Sequence, residues 1–412
     1  MPEQDNEKTR QEADQRSRPL DGLLVADFSR ILAGPYCTML LGDLGATVIK
    51  VESPAGDDTR SWMPPDHHGV ATYYLAINRN KRSVILDFND PADLHLAHEL
   101  ATRADVFVEN FKPGGLKRFG LDYDAVHQQN RGIIYASISG FGTAQGASLP
   151  GYDLIVQAMS GLMSLTGDPD GPAYRSGISV FDVMAGLHAT IGILVALNHR
   201  HHTGEGQHVE VSLYASALSG MVNQTSAYVA GGIVPTRMGN AHPSLFPYEP
   251  LPTADLDLII AAGNNGQFSK LCEILDLPDL PHDPRFATTK DRNRNRDALR
   301  PLLVERLRTR TANEWFRRLS AAGVPCGPIN SVEGGIAFAR EIGLDPVVEV
   351  GAGDDALPMI RHPISFSLTP PRHRLPPPAL GQDNEQIRAW LSQTERTYAE
   401  ELNMDRPSSE QG

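Results

Sequence analysis

From Leu23 onward, short apolar runs alternate with amphipathic stretches, and the alternation predicts elements before any single residue is considered. "LLVADFS" reads as a buried strand, "GPYCTMLLGDLG" as a short helix closed by glycine, and "TVIKVES" as a second strand. "KRSVILDF" follows as a strand, then the helical "PADLHLAHELATRA", the strand "DVFVENF", the helical "LDYDAVHQQN" and the strand "IIYASIS". Strands that alternate with helices build a parallel sheet with helices on its faces. Ligands of such sheets bind beyond the carboxyl ends of the strands.

A long apolar helix following Asp182 ends in "HTGEGQ", and "HVEVSL" predicts a further strand. From about residue 225 the character changes. Gly- and Pro-rich turns in "VAGGIVPTRMGNAHPS" lead to a hairpin, "YEPLPTADLDLIIAAG", and to amphipathic helices such as "NEWFRRLSAAG". Farther on, "VVEVGAGDDALPMIRHPISFSL" reads as a strand pair and "TPPRHRLPPPALGQD" as an extended strap across a surface. The expected division is a polar, disordered tail over residues 1–19, a large α/β domain over 20–224, a smaller α+β domain over 225–335 and a closing segment over 336–412.

Composition narrows the partners. At 412 residues the chain exceeds the usual limit for one domain, and 41% hydrophobic with 21% charged residues is ordinary for a globular protein. The net charge of −13 argues against nucleic acid or anionic membrane as a partner. Cys37, Cys272 and Cys326 lie far apart without CxxC spacing, so neither a disulfide framework nor a zinc site is expected, and a reducing compartment fits. The polar opening has no apolar core of a signal peptide. The apolar stretch from Val183 to Leu197 is too short for a bilayer of about 30 Å and contains His188, so it is expected as a buried core helix of a cytoplasmic protein.

Asp182 is the one carboxylate that opens that apolar stretch. Its plain reading is a helix N-cap; its sharper reading is a reactive carboxylate at a helix N-terminus, where negative charge is favoured. The first turn, "DFSRILAGP", is not GxGxxG although Glu52 ends the second strand, so a nicotinamide or flavin cofactor is not expected. No Walker A sequence or GxSxG elbow appears, and the histidines in "HHG" and "HRHHTGEG" lack acidic partners at metal-ligand spacing. "VENFKPGGLKRFG" places Lys112, Lys117 and Arg118 in a turn after a strand, and "NRNKRS" adds three cations. Each is either a solvated loop or a cradle for phosphates through charge-assisted bonds.

In order and spacing, these segments resemble the class III CoA-transferases, the family of formyl-CoA transferase, carnitine CoA-transferase and α-methylacyl-CoA racemase. The resemblance runs from about Gly22 to Leu391, through "DFSRILAGPYCTMLLGDLGATVIKVE", "NRNKRSVILD", "VENFKPGGLKRFGL", "PGYDLIVQAMSGL", "SVFDVMAGLHATIGILVAL", "RMGNAHPSLFPYE", "GVPCGPINS" and "PPPALGQD". It implies a Rossmann-like large domain built from the first part of the chain and its last stretch, a smaller domain between them, and an interlocked homodimer. It implies that Asp182 is the catalytic aspartate. CoA-contacting positions carry over to Arg30, Ile31 and Leu32, to Ser53, to Leu86, Asp87, Phe88 and Asn89, and to Asn110, Phe111, Lys112 and Arg118. Tyr152 and Asp153 fall in the segment that faces the thioester. Ser53 and Pro150 depart from side chains the family often carries there.

The racemase branch pairs its aspartate with a histidine in "GHD", since removing and returning an α-proton takes two acid/base groups. Here the segment is "GYD", and an ordinary tyrosine, with a pKa of about 10, is a poor base at neutral pH. Transfer is therefore favoured; an acyl-CoA racemase and a non-catalytic CoA-binding protein remain the alternatives. CoA is handed between acids at little net free-energy change, so a carboxylate nucleophile suffices. An ionised Asp182 would form a mixed anhydride and then an aspartyl-CoA thioester, with oxyanion donors and excluded water but no metal or permanently bound cofactor. "GDDTR", "YYLAINRNK", "GNAH" and "AAGNNGQF" look closest to the dicarboxylate branch of succinate–hydroxymethylglutarate CoA-transferase. Succinyl-CoA is the expected donor and a small carboxylic or dicarboxylic acid the acceptor, with Arg175, Gly239, Asn240 and His242 as its candidate contacts. The loop from Gly239 to His242 is read either as a cover over the site or as an inter-strand turn.

Overall fold

The computed structural model describes residues 18–353 and 356–393. The tail expected over 1–19 lies outside the described residues as far as residue 17, and the closing segment is described to residue 393. The chain forms two compact units. One comprises the described residues through Ser160, Ser176–Ser226 and those from Asp345; the other comprises Gly161–Arg175 and Ala227–Leu344.

In the first unit, β1 (Leu24–Asp27) is fully buried and leads into α1 (Ala33–Asp43), then β2 (Thr47–Glu52) and β3 (Lys81–Ile85). The helix α2 (Pro91–Arg103) starts where the sequence signals it. Pro91 occupies its first turn, and the Asp90 carboxylate accepts the Ala92 and Asp93 N–H groups. β4 (Val106–Glu109), α3 (Tyr123–Gln129), β5 (Ile134–Ser139), α4 (Asp153–Ser160), α5 (Val180–Thr203) and β6 (Gln207–Ser212) follow. The six strands lie in the order β3-β2-β1-β4-β5-β6, all pairs parallel. This is the doubly wound order, and its topological switch point falls between β1 and β4. Leu24, Ala26, Phe28, Ile49, Val84, Leu100, Phe107 and Tyr135 are among its core.

At 24 residues α5 is longer than the apolar stretch suggested. Spanning ~36 Å, it is long and apolar enough to cross a membrane by length and composition, which corrects the expectation that it is too short. One face packs inward: Ala185, Gly186, Ala189, Thr190, Ile193 and Ala196 are buried, whereas Leu187, Ile191 and Val195 are exposed. Gly186 permits the closest approach to α1, since a Cβ there would meet the Ala33 carbonyl oxygen at 2.6 Å.

In the second unit the hairpin is β7 (Tyr248–Pro252) and β8 (Asp257–Ala261), with β9 (Cys326–Pro328) on the other side of β8, all antiparallel. Helices α6 (Arg296–Leu307) and α7 (Ala312–Ala321) cover it, α7 opening on a Thr311–Glu314 capping box. The boundaries differ from the expected ones at two places. Residues 161–175 join this unit because Gly239 N–H bonds Gly167 O and Arg237 bonds Asp168 O. The helix Val332–Glu341 also belongs here, so the return begins at Asp345 rather than at residue 336.

The returning chain pairs β10 (Val347–Val350) with β11 (Leu357–Ile360) and then runs extended along the first unit. Its backbone N–H groups at Arg374 and Leu375 both bond the Asn80 Oδ1 atom, and Asp383 N–H bonds Ser83 O on the outer edge of β3. Asp383 and Asn384 carboxylate and amide oxygens accept the Ser83 and Ile85 N–H groups. The expected strap thus closes an otherwise open sheet edge.

Candidate functional site

Two cavities open at the carboxyl ends of the strands in the first unit. The first, of about 270 Å³, is lined by Arg30, Ser53, Leu86, Asp87, Phe88, Asn89, Phe111 and Arg118 among others. The second, of about 330 Å³, is lined by Arg30, Ile31, Asn110, Phe111, Lys112, Tyr152 and Asp182, with Ala33 and the 148–151 segment. Arg30 and Phe111 belong to both, and the Arg30 guanidinium lies 5.8 Å from the Phe111 ring centroid. Residues drawn from separate segments of sequence thus line two cavities that share Arg30 and Phe111. Leu32 is buried as the N-cap position of α1, and Asp153 is buried behind the second cavity rather than lining it.

The turn after β1 is held against its own preference. Ile31 has φ of +70°, a conformation that costs a β-branched residue on the order of 1–3 kcal/mol. Three bonds impose it. Asn110 accepts the Arg30 N–H at 2.8 Å and donates to the Arg30 carbonyl at 2.7 Å, across the switch point. The Asp57 carboxylate accepts the Ile31 N–H at 3.2 Å.

Asp57 is itself part of a buried ionic network. Lys50 Nζ donates to Asp57 at 2.9 Å and to Ser29 O at 3.0 Å, Lys81 pairs with Asp27 at 3.0 Å, and Arg60 pairs with Glu52 at 2.7 Å. Burial alone would raise Asp27, Glu52 and Asp57, but Lys81, Arg60 and Lys50 respectively, with nearby hydroxyls, hold all three below the usual range. Lys81, withdrawn from water, drops to about 8. The cations of "NRNKRS" are therefore not a phosphate cradle. Arg79 and Lys81 are buried, paired with Asp43 and Asp27, and Arg82 bonds Asp383. Lys50, Asp57 and Arg60 were not singled out in the sequence, although "GDDTR" brings two of them together.

Asp182 is not the N-cap. Ser179 holds that position without a side-chain cap bond, and Asp182 lies in the first turn of α5. The cap comes from another helix. Asp153, at the start of α4, accepts the Phe181 N–H at 2.8 Å and the Asp182 N–H at 3.3 Å. The Gln157 amide also donates to Asp153, while its carbonyl oxygen accepts the Ser176 N–H. Asp153 therefore occupies the donors that were expected to favour ionised Asp182. Burial, and then the Asp153 charge, push the Asp182 carboxyl up to about 7, which reverses that expectation. Tyr73, which the sequence did not flag, stands in the field of Asp182 and Asp153; burial foremost raises its phenol. Gly140 and Gly151 let the 148–152 segment reach this site, because a Cβ on Gly140 would sit 2.3 Å from the Gly151 Cα.

Gly239 and Asn240 line a cavity of about 540 Å³ in the second unit, with Asp168, Glu249, Arg296 and Arg300. His242 Nδ1 accepts the Ser244 N–H at 3.0 Å, and its carbonyl accepts Arg296 at 2.9 Å. Arg175 is exposed on the same unit. Among the described residues no group of three or more His, Cys, Asp or Glu side chains is placed to hold a metal ion.

The sequence matches the family model described as CoA-transferase family III over residues 20–384. It is similar to the succinate–glutarate CoA-transferase of Agrobacterium fabrum, 42% identical over 394 residues, covering 93% of this chain and 98% of that protein. It is also similar to the succinyl-CoA:glutarate CoA-transferase of Homo sapiens, 39% identical over 377 residues, covering 90% of this chain and 85% of that protein. Among solved structures, a CAIB/BAIF family protein from Brucella suis superposes with a TM-score of 0.82 at 42% identity, covering 92% of this chain and 100% of that one.

Proposed function

This chain belongs to CoA-transferase family III, and from that premise we propose that it moves CoA from succinyl-CoA to a small dicarboxylic acid, with Asp182 as the covalent nucleophile. The observation that carries the reading is Asp182 itself: a carboxyl in a strand-end cavity, at the first turn of an apolar helix, with its backbone held by Asp153. Glutarate is the first acceptor to test, since that acid is named for both relatives at about 40% identity.

The nucleotide end of CoA takes the first cavity, where Phe88, Phe111 and Phe119 supply aromatic surface and Arg30 and Arg118 supply positive charge. The pantetheine arm passes between Arg30 and Phe111 toward Asp182. The Asp182 carboxylate attacks the thioester carbonyl, and the C–S bond breaks to give an aspartyl anhydride and CoA thiolate. The thiolate attacks the aspartyl carbonyl and expels succinate, leaving aspartyl-CoA thioester. The acceptor carboxylate then attacks, expels the thiolate, and a last thiolate attack releases the new acyl-CoA and frees Asp182. Each step exchanges one acyl bond for another, so no ATP is consumed. A second copy of the chain covers the exposed Leu187, Ile191 and Val195 of α5, so the active protein is a homodimer, which light scattering at working concentration reads directly.

The deciding experiment incubates the protein with succinyl-CoA, quenches with hydroxylamine or borohydride, and maps the modified peptide by mass spectrometry. The label is expected on Asp182; a label elsewhere, or none during turnover, rejects the mechanism. A panel of free acids under the same readout ranks the acceptors, and failure of every dicarboxylate rejects the substrate class.

A further inference from the structure

A second buried carboxyl stands apart from both the ionic network and Asp182. Glu109 ends β4 with 9% of its surface exposed, and among the described residues no cation pairs with it. Its Oε2 accepts the Phe111 N–H at 2.8 Å. In the sheet register Glu109 lies opposite Ser137 of β5, whose hydroxyl favours the ionised form of its carboxyl. Ser137 Oγ lies 2.9 Å from His208 Nε2 on β6. A hydroxyl donates only once, so when Ser137 donates to Glu109 the His208 proton must sit on Nε2. The His208 ring is fixed by stacking on Tyr123 at 4.7 Å and by an edge contact with Tyr135 at 5.5 Å. The three side chains follow one another in a line across β4, β5 and β6, with Ser137 hydrogen-bonded to His208 and opposite Glu109 in the register.

What this line holds is the turn after β4. Phe111 lines both cavities described above and a third, of about 420 Å³, in which Glu109, Ser137 and His208 also take part. Its neighbour Asn110 clamps Arg30, and Asn110 and Lys112 both line the Asp182 cavity. Burial pushes the Glu109 carboxyl up to about 7, against the pull of the Ser137 and Phe111 donors, so keeping it there taxes the fold. An apolar side chain at this strand end would be cheaper but would leave the Phe111 N–H without its acceptor.

We propose that Glu109, Ser137 and His208 act together as positioning residues that set the Phe111 turn and thereby the affinity for the CoA donor. This rests on the reading of the cavities as the CoA site, and it adds a role for three side chains that touch no reacting atom.

The test uses the full chain, free CoA in calorimetric titrations and succinyl-CoA in steady-state kinetics. Glu109→Leu is expected to raise the CoA Kd and the donor KM about tenfold with kcat within about twofold. Glu109→Gln keeps a carbonyl oxygen to accept the Phe111 N–H and the Ser137 hydroxyl, and is expected to restore both constants to within about twofold. Ser137→Ala, which breaks the line at its middle, is expected to raise KM about threefold. An unchanged KM in a folded Glu109→Leu variant, a fall in kcat alone, or failure of the Gln variant to restore affinity overturns the proposal. Should Glu109→Leu not fold, an unchanged KM in Ser137→Ala overturns it. Absence of CoA binding by the wild-type protein is a different result, and it rejects the reading of the cavities instead.

Discussion

Asp27, Glu52 and Asp57 on one side of the first turn, and Asp182 beyond it, are all withdrawn from water, yet they titrate in opposite directions. Desolvation raises every one of them. The difference lies in the neighbours. The first three meet Lys81, Arg60 and Lys50 at 2.7–3.0 Å, whereas the charge nearest Asp182 is another carboxylate, Asp153. Burial sets the size of the penalty, and the partner decides who bears it. The paired groups hold a strained backbone turn and stay charged. The unpaired one keeps its proton in balance near neutrality, where a small change in surroundings changes its reactivity.

That contrast breaks first at Asp182. Asp182→Ala is expected to lose transfer by about 10⁴-fold or more, measured by acyl-CoA exchange, while the unfolding midpoint stays equal or rises because an uncompensated buried carboxyl is gone. Near-normal turnover would dismiss the nucleophile, and a lowered midpoint would erase the contrast. Lys50→Met should do the reverse. It strands Asp57 and releases Ser29 O, and is expected to cost about 3–5 kcal/mol in denaturant unfolding.

Asp153→Asn sharpens the same contrast. An asparagine still accepts the Phe181 and Asp182 N–H groups but carries no charge. In the proposed mechanism the ionised form of Asp182 attacks, so kcat/KM in the wild type should rise with pH through about 7. In the variant the midpoint should move to lower pH; an unmoved profile would mean that the Asp153 charge does not act on Asp182.

The smallest effect is expected on the far side of the network, where a half-buried base replaces buried acids. Burial, helped by Arg79 and His362, lowers His373 to about 4. The unfolded chain binds that proton from about pH 6.5 downward, so stability falls between about 6.5 and 4 as pH drops. In His373→Gln the difference in melting temperature between pH 7 and pH 5 should shrink.

The sheet was legible because parallel strands buried on both faces read as apolar runs, and "PADLHLAH" carries its own start signal in Asp90 and Pro91. The segments that line the cavities were reachable through resemblance to a family. What escaped was pairing at a distance. Asp153 caps α5 from another helix, and no local pattern distinguishes an Asp in the first turn from one at the N-cap. "NRNKRS" looks solvated by composition, but its alternate cations turn inward to Asp43 and Asp27. Residues 161–175 join the second unit through their backbone carbonyls, Gly167 O accepting the Gly239 N–H and Asp168 O the Arg237 guanidinium, and backbone acceptors carry no sequence signal.

The strap along β3 has a bearing on how the molecule is made. The Asn80 side-chain oxygen and the outward backbone groups of Ser83 meet their partners at residues 374–383, almost three hundred positions later. A ribosome therefore completes the strands that carry the two strand-end cavities long before it delivers the strip that seals their flank. Until that strip emerges, β3 offers a row of unmet backbone groups to any passing strand, and growing chains are at their stickiest in that interval.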